Sequence, residues 1–123
     1  MFSKGNTYTR EQISAKVGGG TQDCISHAGN RVVAICLTRD MNPQAPAIML
    51  VGTGRDKIRY SEILCNEQKN EAIPIFLKRK PNAWEFEGYF KVLRHSKSPD
   101  IISEHQGTAG RNDVYMVIYF EGV

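Results

Sequence analysis

Long apolar runs are missing from this sequence. Nothing in its 123 residues approaches the ~20 consecutive apolar positions a membrane-spanning helix requires. Residues 1–20 hold no apolar stretch of the ~7–15 residues expected of a secretory signal. Cysteine is scarce too. Cys24, Cys36 and Cys65 are odd in number and widely spaced, which excludes a disulfide framework and matches the usage of a reducing, cytoplasmic compartment. Cys36, inside an apolar run, reads as a small buried hydrophobe. A strong charge of one sign is also lacking. Sixteen basic against 13 acidic residues leave +3, which permits an anionic partner without demanding one and is far from a histone-like footprint. Internal repeats and low-complexity tracts are absent. What remains, 41% apolar and 24% charged, is the composition of one domain over residues 1–123, long enough to bury a core without staples or metal.

The usual signatures of catalysis are missing as well. Cys24-Ile25-Ser26-His27 brings a thiol near an imidazole, but Cys36, Cys65, His95 and His105 lie too far apart in sequence to complete a four-ligand zinc site. No activated-nucleophile pattern surrounds Cys24. Gly18-Gly19-Gly20 has neither P-loop nor Rossmann spacing and follows a helix, not a strand. Asp40, Asp56, Glu62, Glu67, Glu71, Glu85 and Glu87 are scattered, and Glu85-Phe86-Glu87 reads as the solvated face of a strand. The expectation is a binding domain, with no catalytic residues, no metal and no cofactor.

What is present can be read as a string of elements. Thr9 and Gln12 form a capping box, Tyr8 and Ile13 a hydrophobic staple, and Ile13 and Val17 share one helical face. Apolar runs at 32–37, 47–52 and 73–77, period-two alternation over 84–92, and a final run at 114–121 predict five strands. Residues 60–68 predict a short helix, with Tyr60, Ile63 and Leu64 on one face. Residues 96–112 read as the longest irregular region, a mobile loop. The fold class is therefore α+β, with a curved, mainly antiparallel sheet or small open barrel and one or two short helices.

Two features suggest an anionic ligand. Three consecutive glycines exceed the needs of a helix C-cap and precede a segment of hydrogen-bonding side chains ending at His27, where backbone can approach a ligand closely. The plain alternative is a floppy connector. Basic residues cluster at Arg55, Lys57 and Arg59, which an extended chain would aim one way, and again at Lys78, Arg79 and Lys80 before Trp84, the one tryptophan. Most such runs are simply solvated, and a lone tryptophan is by default core. Cations beside aromatics nevertheless suit phosphates and unstacked bases.

The ordered motifs Tyr8-Thr9-Arg10-x-x-Ile13, Gly18-Gly19-Gly20-x-Gln22-x-x-Ile25-Ser26, Val51-Gly52-Thr53-Gly54, Ile75-Phe76-Leu77, Trp84-x-Phe86-x-Gly88-Tyr89-Phe90 and Arg111 before Val117-Ile118-Tyr119-Phe120 span almost the whole chain. Their order resembles the modification-reading domains at the N-terminus of HNH-type, modification-dependent restriction endonucleases, which are similar to SRA, EVE and other PUA-like folds. The resemblance implies a sensor of modified double-stranded DNA in bacterial defence, with a base such as 5-methylcytosine flipped into a pocket on a curved sheet. The chain departs from the family in having no HNH motif, so either a nuclease domain or subunit lies elsewhere or the chain is a stand-alone or excised reader. It also departs in a shorter stretch between Gly54 and Ile73.

On this reading the pocket residues are Arg10, Gly19, Gln22, Asp23, Ser26, His27, Arg39, Asn42 and Trp84. Within them Asp23 is placed to accept from a cytosine amino group. Arg55, Lys57, Arg59, Lys78, Arg79 and Lys80 are the phosphate contacts, positioning DNA without specifying it. Three other readings stay open. One is a reader of a sulfur-modified DNA backbone, for which an apolar patch beside a cation would matter more than a flipping pocket. The second is an RNA-binding PUA-like module. The third is a protein-interaction domain or a nucleotide-processing enzyme. The sequence does not fix the oligomeric state.

Overall fold

In a computed structural model describing residues 1–123, seven strands and three helices alternate along the chain. The strands are β1 (Thr7–Tyr8), β2 (Ile25–Ala28), β3 (Arg31–Leu37), β4 (Ile48–Gly52), β5 (Ile73–Lys80), β6 (Ala83–Ser96) and β7 (Val114–Gly122). They form one sheet in the order β2-β3-β5-β6-β7-β4, with β1 added against β6. Only the β3–β5 pair is parallel. Strand β6 is 14 residues long and changes partners along its length. Its first half pairs with β5 and its second half with β7, with register shifts in both ladders. Gly88 lies beside the first of these shifts at φ +123°, a conformation that glycine adopts without strain. The sheet therefore curls into a half-barrel, the α+β architecture with a curved, mainly antiparallel sheet that the sequence predicts.

Both faces of the central strands are buried, because successive side chains point to opposite sides. Ile35, Leu37, Ile75, Leu77, Val51, Met116 and Ile118 pack with Tyr60, Leu64 and Cys65 of α2 (Arg55–Glu67) in the larger core cluster. Ala34, Cys36, Phe76, Trp84 and Phe86 pack with Phe2 and with Ile13 of α1 (Arg10–Val17) in the second. Truncating the fully buried Phe76 to alanine would cost about 3–5 kcal/mol. Gln68, itself buried, docks its amide on the start of β3, accepting from Val32 N at 2.8 Å and donating to Val32 O at 2.9 Å. The cysteines are free, and burial pushes the Cys36 and Cys65 thiols up to about 12.

The helices depart from the sequence expectation in extent and number. Helix α1 begins as predicted. Thr9 Oγ1 accepts from Gln12 N at 3.0 Å, and Gln12 Oε1 accepts from Thr9 N at 2.9 Å. Helix α2 begins at Arg55, not at 60. Its buried residues Tyr60, Ser61, Leu64 and Cys65 recur at helical spacing, so the alternation of Arg55, Lys57 and Arg59 is not that of an extended chain. At ~100° of rotation per residue Arg55 and Arg59 share one side of the helix and Lys57 points to the other, so the three do not aim one way. The segment read as a mobile loop contains α3 (Pro99–Ala109). Proline in the first turn and Gly110 in the left-handed region at φ 66° bound it. None of its residues is fully buried. Its thin apolar stripe of Ile101, Ile102 and Ala109 covers Leu50, Val114 and Val117.

Candidate nucleic-acid interface

A pocket of about 360 Å³ opens where the start of α1, the segment between α1 and β2, the loop after β3, the start of α2 and the β5–β6 turn converge. Its wall divides by chemistry. Cys24, Cys36, Met41 and Met49 contribute four sulfur-bearing residues, joined by Leu50 and Trp84. Four cations, Arg10, Lys57, Lys78 and Arg111, share the lining with Thr21, Gln22, Thr38 and Asn42. No carboxylate lines it.

Arg10 is only 6% exposed. Its Nη2 donates to Asp23 O at 2.9 Å and to Gly20 O at 3.4 Å, drawing the segment before β2 over the helix. Its guanidinium carbon lies 5.4 Å from the Trp84 ring centre. It takes part in no ion pair, and its Nε–H is buried without an acceptor. Leaving such a donor dry costs about 1–3 kcal/mol. Lys78 Nζ sits 5.8 Å from the same ring. With two cations beside its ring and only 9% of the residue exposed, the tryptophan has little free face for a base. Lys57 is exposed and unpaired. Near it, burial raises the Cys24 thiol above its ordinary value, against the lowering pull of the lysine.

Arg111 is a different kind of cation. It forms a bidentate pair with Asp113, at 2.8 and 3.0 Å, and its Nη1 donates to Met41 O at 2.9 Å and Leu50 O at 3.2 Å. The hydrogen bond from Arg111 holds the Asp113 carboxyl below the usual carboxylate range. The charge is neutralised locally, and the guanidinium ties the loop after β3 to β4. Asn42 completes the tie: its Oδ1 accepts from Leu50 N at 2.8 Å and its Nδ2 donates to Thr38 O at 3.3 Å. Met41 is thereby held in the pocket wall while 44% exposed. Gly52 lies beneath this junction, where a side chain would be tight. A Cβ there would lie 3.2 Å from Asp113 Oδ2 and 3.4 Å from both Arg111 and Lys57.

Of the residues the sequence nominates, the pocket gathers Arg10, Gln22, Asn42, Trp84, Lys57 and Lys78. The others lie elsewhere. Gly19 is a packing residue at φ +79°, where a Cβ would come 2.5 Å from Ser26 Oγ. Ser26 is 1% exposed and donates to Gly20 O. His27 packs edge-on against Tyr60, ring centres 3.6 Å apart. The segment nominated as the reading loop reaches the pocket only through Thr21, Gln22 and Cys24, because Ser26 and His27 are already in β2. Asp23 lines an adjoining cavity of about 200 Å³ with Asp56. Arg39, Arg79 and Lys80 line an adjoining groove of about 400 Å³. Arg79 is paired with Glu85 at 2.9 Å and with Glu87 at 3.7 Å. Arg59 donates to Asn30 and stacks on Tyr60, and Arg55 lines no cavity.

Sequence reasoning gave no pocket role to Thr38, Met41, Met49, Leu50, Gly52 or Arg111. The signals available were the motif Val51-Gly52-Thr53-Gly54 and Arg111-Asn112-Asp113, a cation and an acid two apart just before a strand.

The sequence matches no family model and no curated protein. Among solved structures it is similar to the sulfur-binding domain and SRA domain of ScoMcrA complexed with phosphorothioated DNA, with a TM-score of 0.55 at 13% identity. The likeness covers 99% of this chain but only 40% of that one. At that identity the shared property is the fold, and the curved mixed sheet with its flanking helices is an architecture found in a modified-DNA-binding protein.

Proposed function

We propose that this chain is a binding module that reads modified DNA, and that the modification it reads is a phosphorothioate linkage in the backbone. The observation that carries the reading is the pocket's lining: unpaired cations, including the acceptor-free Nε–H of Arg10, beside a wall of Met, Cys, Leu and Trp, with no carboxylate. A phosphorothioate keeps the negative charge of a phosphate but replaces one oxygen with a larger, softer and weakly hydrogen-bonding sulfur. Arg10, Lys57 and Lys78 answer the charge, and the sulfur-bearing wall answers the sulfur. An ordinary phosphate would have to bury an oxygen against that wall without a donor, at about 1–3 kcal/mol, or about 5- to 150-fold in affinity. The structural neighbour was solved with phosphorothioated DNA, which supports the same ligand class. The chemistry of any restriction response would come from a companion nuclease.

One observation favours a second reading, a flipped modified cytosine: the pocket's volume of about 360 Å³ has room for a base. The buried Trp84 ring, 9% exposed with two cations beside it, weighs against it, because a flipped base needs a free π-face. The test is fluorescence anisotropy with duplexes of one sequence, either unmodified, carrying one phosphorothioate, or carrying 5-methyl- or 5-hydroxymethylcytosine, together with single-stranded RNA. Tighter binding of the phosphorothioate duplex by about 5- to 150-fold is expected. Selective binding of a modified-cytosine duplex would replace the backbone reading with the base reading. Equal binding of all probes, or of none, would overturn both.

A further inference from the structure

We propose that the DNA strand whose modified linkage enters the pocket leaves it in one direction, over the β5–β6 turn, where a second cationic groove holds its neighbouring phosphates. This rests on the modified-DNA reading of the pocket. The groove, of about 400 Å³, lies between the residues that follow β3 and those of the β5–β6 turn. No aromatic residue lines it, and Pro81 is its one apolar residue, so it offers a base no aromatic stacking platform, whereas a sugar-phosphate chain needs none. Four of its residues are basic, Arg39, Lys78, Arg79 and Lys80, against the single acid Asp40. Glu85 and Glu87 neutralise Arg79, but Arg39, Lys78 and Lys80 take part in no ion pair.

Continuity gives the direction. Thr38 and Lys78 line both the pocket and the groove, so the two spaces are continuous and the lysine sits at their junction. Where Gln22, Cys24 and Lys57 lead out of the pocket into the cavity of about 200 Å³, the wall instead carries Asp23 and Asp56. Two carboxylates against one ammonium repel a phosphate there. Arg55 neighbours Asp56 on α2 but lines neither space. The groove thus adds affinity through phosphate contacts and counterion release, without contributing to the choice of modification.

The test uses duplexes with one phosphorothioate linkage, shortened stepwise from one end or from the other, with the full chain and with its Arg39→Ala and Lys80→Ala variants. Both side chains are exposed, so the fold survives their loss. Shortening one flank is expected to lower affinity several-fold while equal shortening of the other changes little. Each variant should reduce that asymmetry and flatten the salt slope by about one unit. The ratio of modified to unmodified binding should stay unchanged. Equal losses from both flanks, or an asymmetry that persists in both variants, would overturn the groove. Absence of any preference for the full-length phosphorothioate duplex would overturn the pocket reading itself, and that result is read before any shortening.

Discussion

The guanidinium of Arg10 lies over the ring of Trp84 in the pocket wall, 5.4 Å from cation carbon to ring centre. The pair joins the first turn of α1 to β6. It also fixes the Arg10 plane so that Nη2 reaches two backbone carbonyls while Nε faces no acceptor. A lysine keeps the charge but not the plane or the fork of donors. Arg10→Lys should therefore weaken binding of phosphorothioate DNA by about tenfold or more, given about 1.5–3 kcal/mol for a hydrogen bond to a charged group. Anisotropy titrations paired with thermal melts check this. Wild-type affinity in a folded Arg10→Lys variant would remove Arg10 as the anchor.

The three glycines after α1 should separate on substitution. Gly19 has φ +79° and no room for a Cβ beside Ser26, whereas Gly20 has nothing within 4 Å and no positive φ. Gly19→Ala should destabilise the fold by more than about 1–2 kcal/mol, the left-handed penalty alone. Gly20→Ala should stay within about 0.5 kcal/mol of wild type. Urea unfolding of both variants compares them directly.

The capping box at the start of α1 predicts a loss of about 0.5–2 kcal/mol for Thr9→Ala. Because α1 carries Arg10, the same variant should also weaken DNA binding. A stability loss with unchanged affinity would show that the anchor does not depend on the cap.

Acid stability should depend on Glu62. Its carboxylate accepts from Tyr115 and from Lys97, the latter at 2.9 Å, and these bonds hold it at about 2 against an ordinary 4.5. A depressed folded value means that its contribution is fully present above about pH 4.5 and is lost as pH falls toward 2. Melting temperatures of wild type and Glu62→Gln should differ at neutral pH and converge across that window. A gap that stays constant down to the acid end would show that the carboxylate contributes nothing as an anion.

Elements set by local chemistry were legible. Thr9 and Gln12 announce their box because both partners lie within one turn, and the strands around Ile35, Ile75 and Val117 announce themselves because both faces are apolar or β-branched. Elements whose stability is tertiary were not. Strand β2 is held by pairing with β3, so polar Ser26 and His27 concealed it. Helix α3 buries too thin a stripe to show as periodic. The site divides in the same way. Arg10, Gln22, Asn42, Trp84, Lys57 and Lys78 have side chains suited to DNA and were nominated for that reason. Met41, Met49 and Leu50 look like ordinary core or loop residues until β4 and the loop after β3 set them against the cations. The structure also separates the basic residues by neutralisation, which composition does not reveal: Arg79 and Arg111 are tied to carboxylates, while Lys57, Lys78 and Arg39 are free.

Trp84 is the one tryptophan in the chain and lines the pocket, so tryptophan emission carries a signal from that site. Titrating the chain with a duplex carrying one phosphorothioate should give a saturable change in emission, at concentrations where the unmodified duplex of the same sequence gives none. The same titration of Arg10→Lys should shift the midpoint upward by about tenfold or more. An identical emission change with both duplexes, or binding by anisotropy that leaves the Trp84 signal untouched, would contradict the claim that this pocket reads the modification.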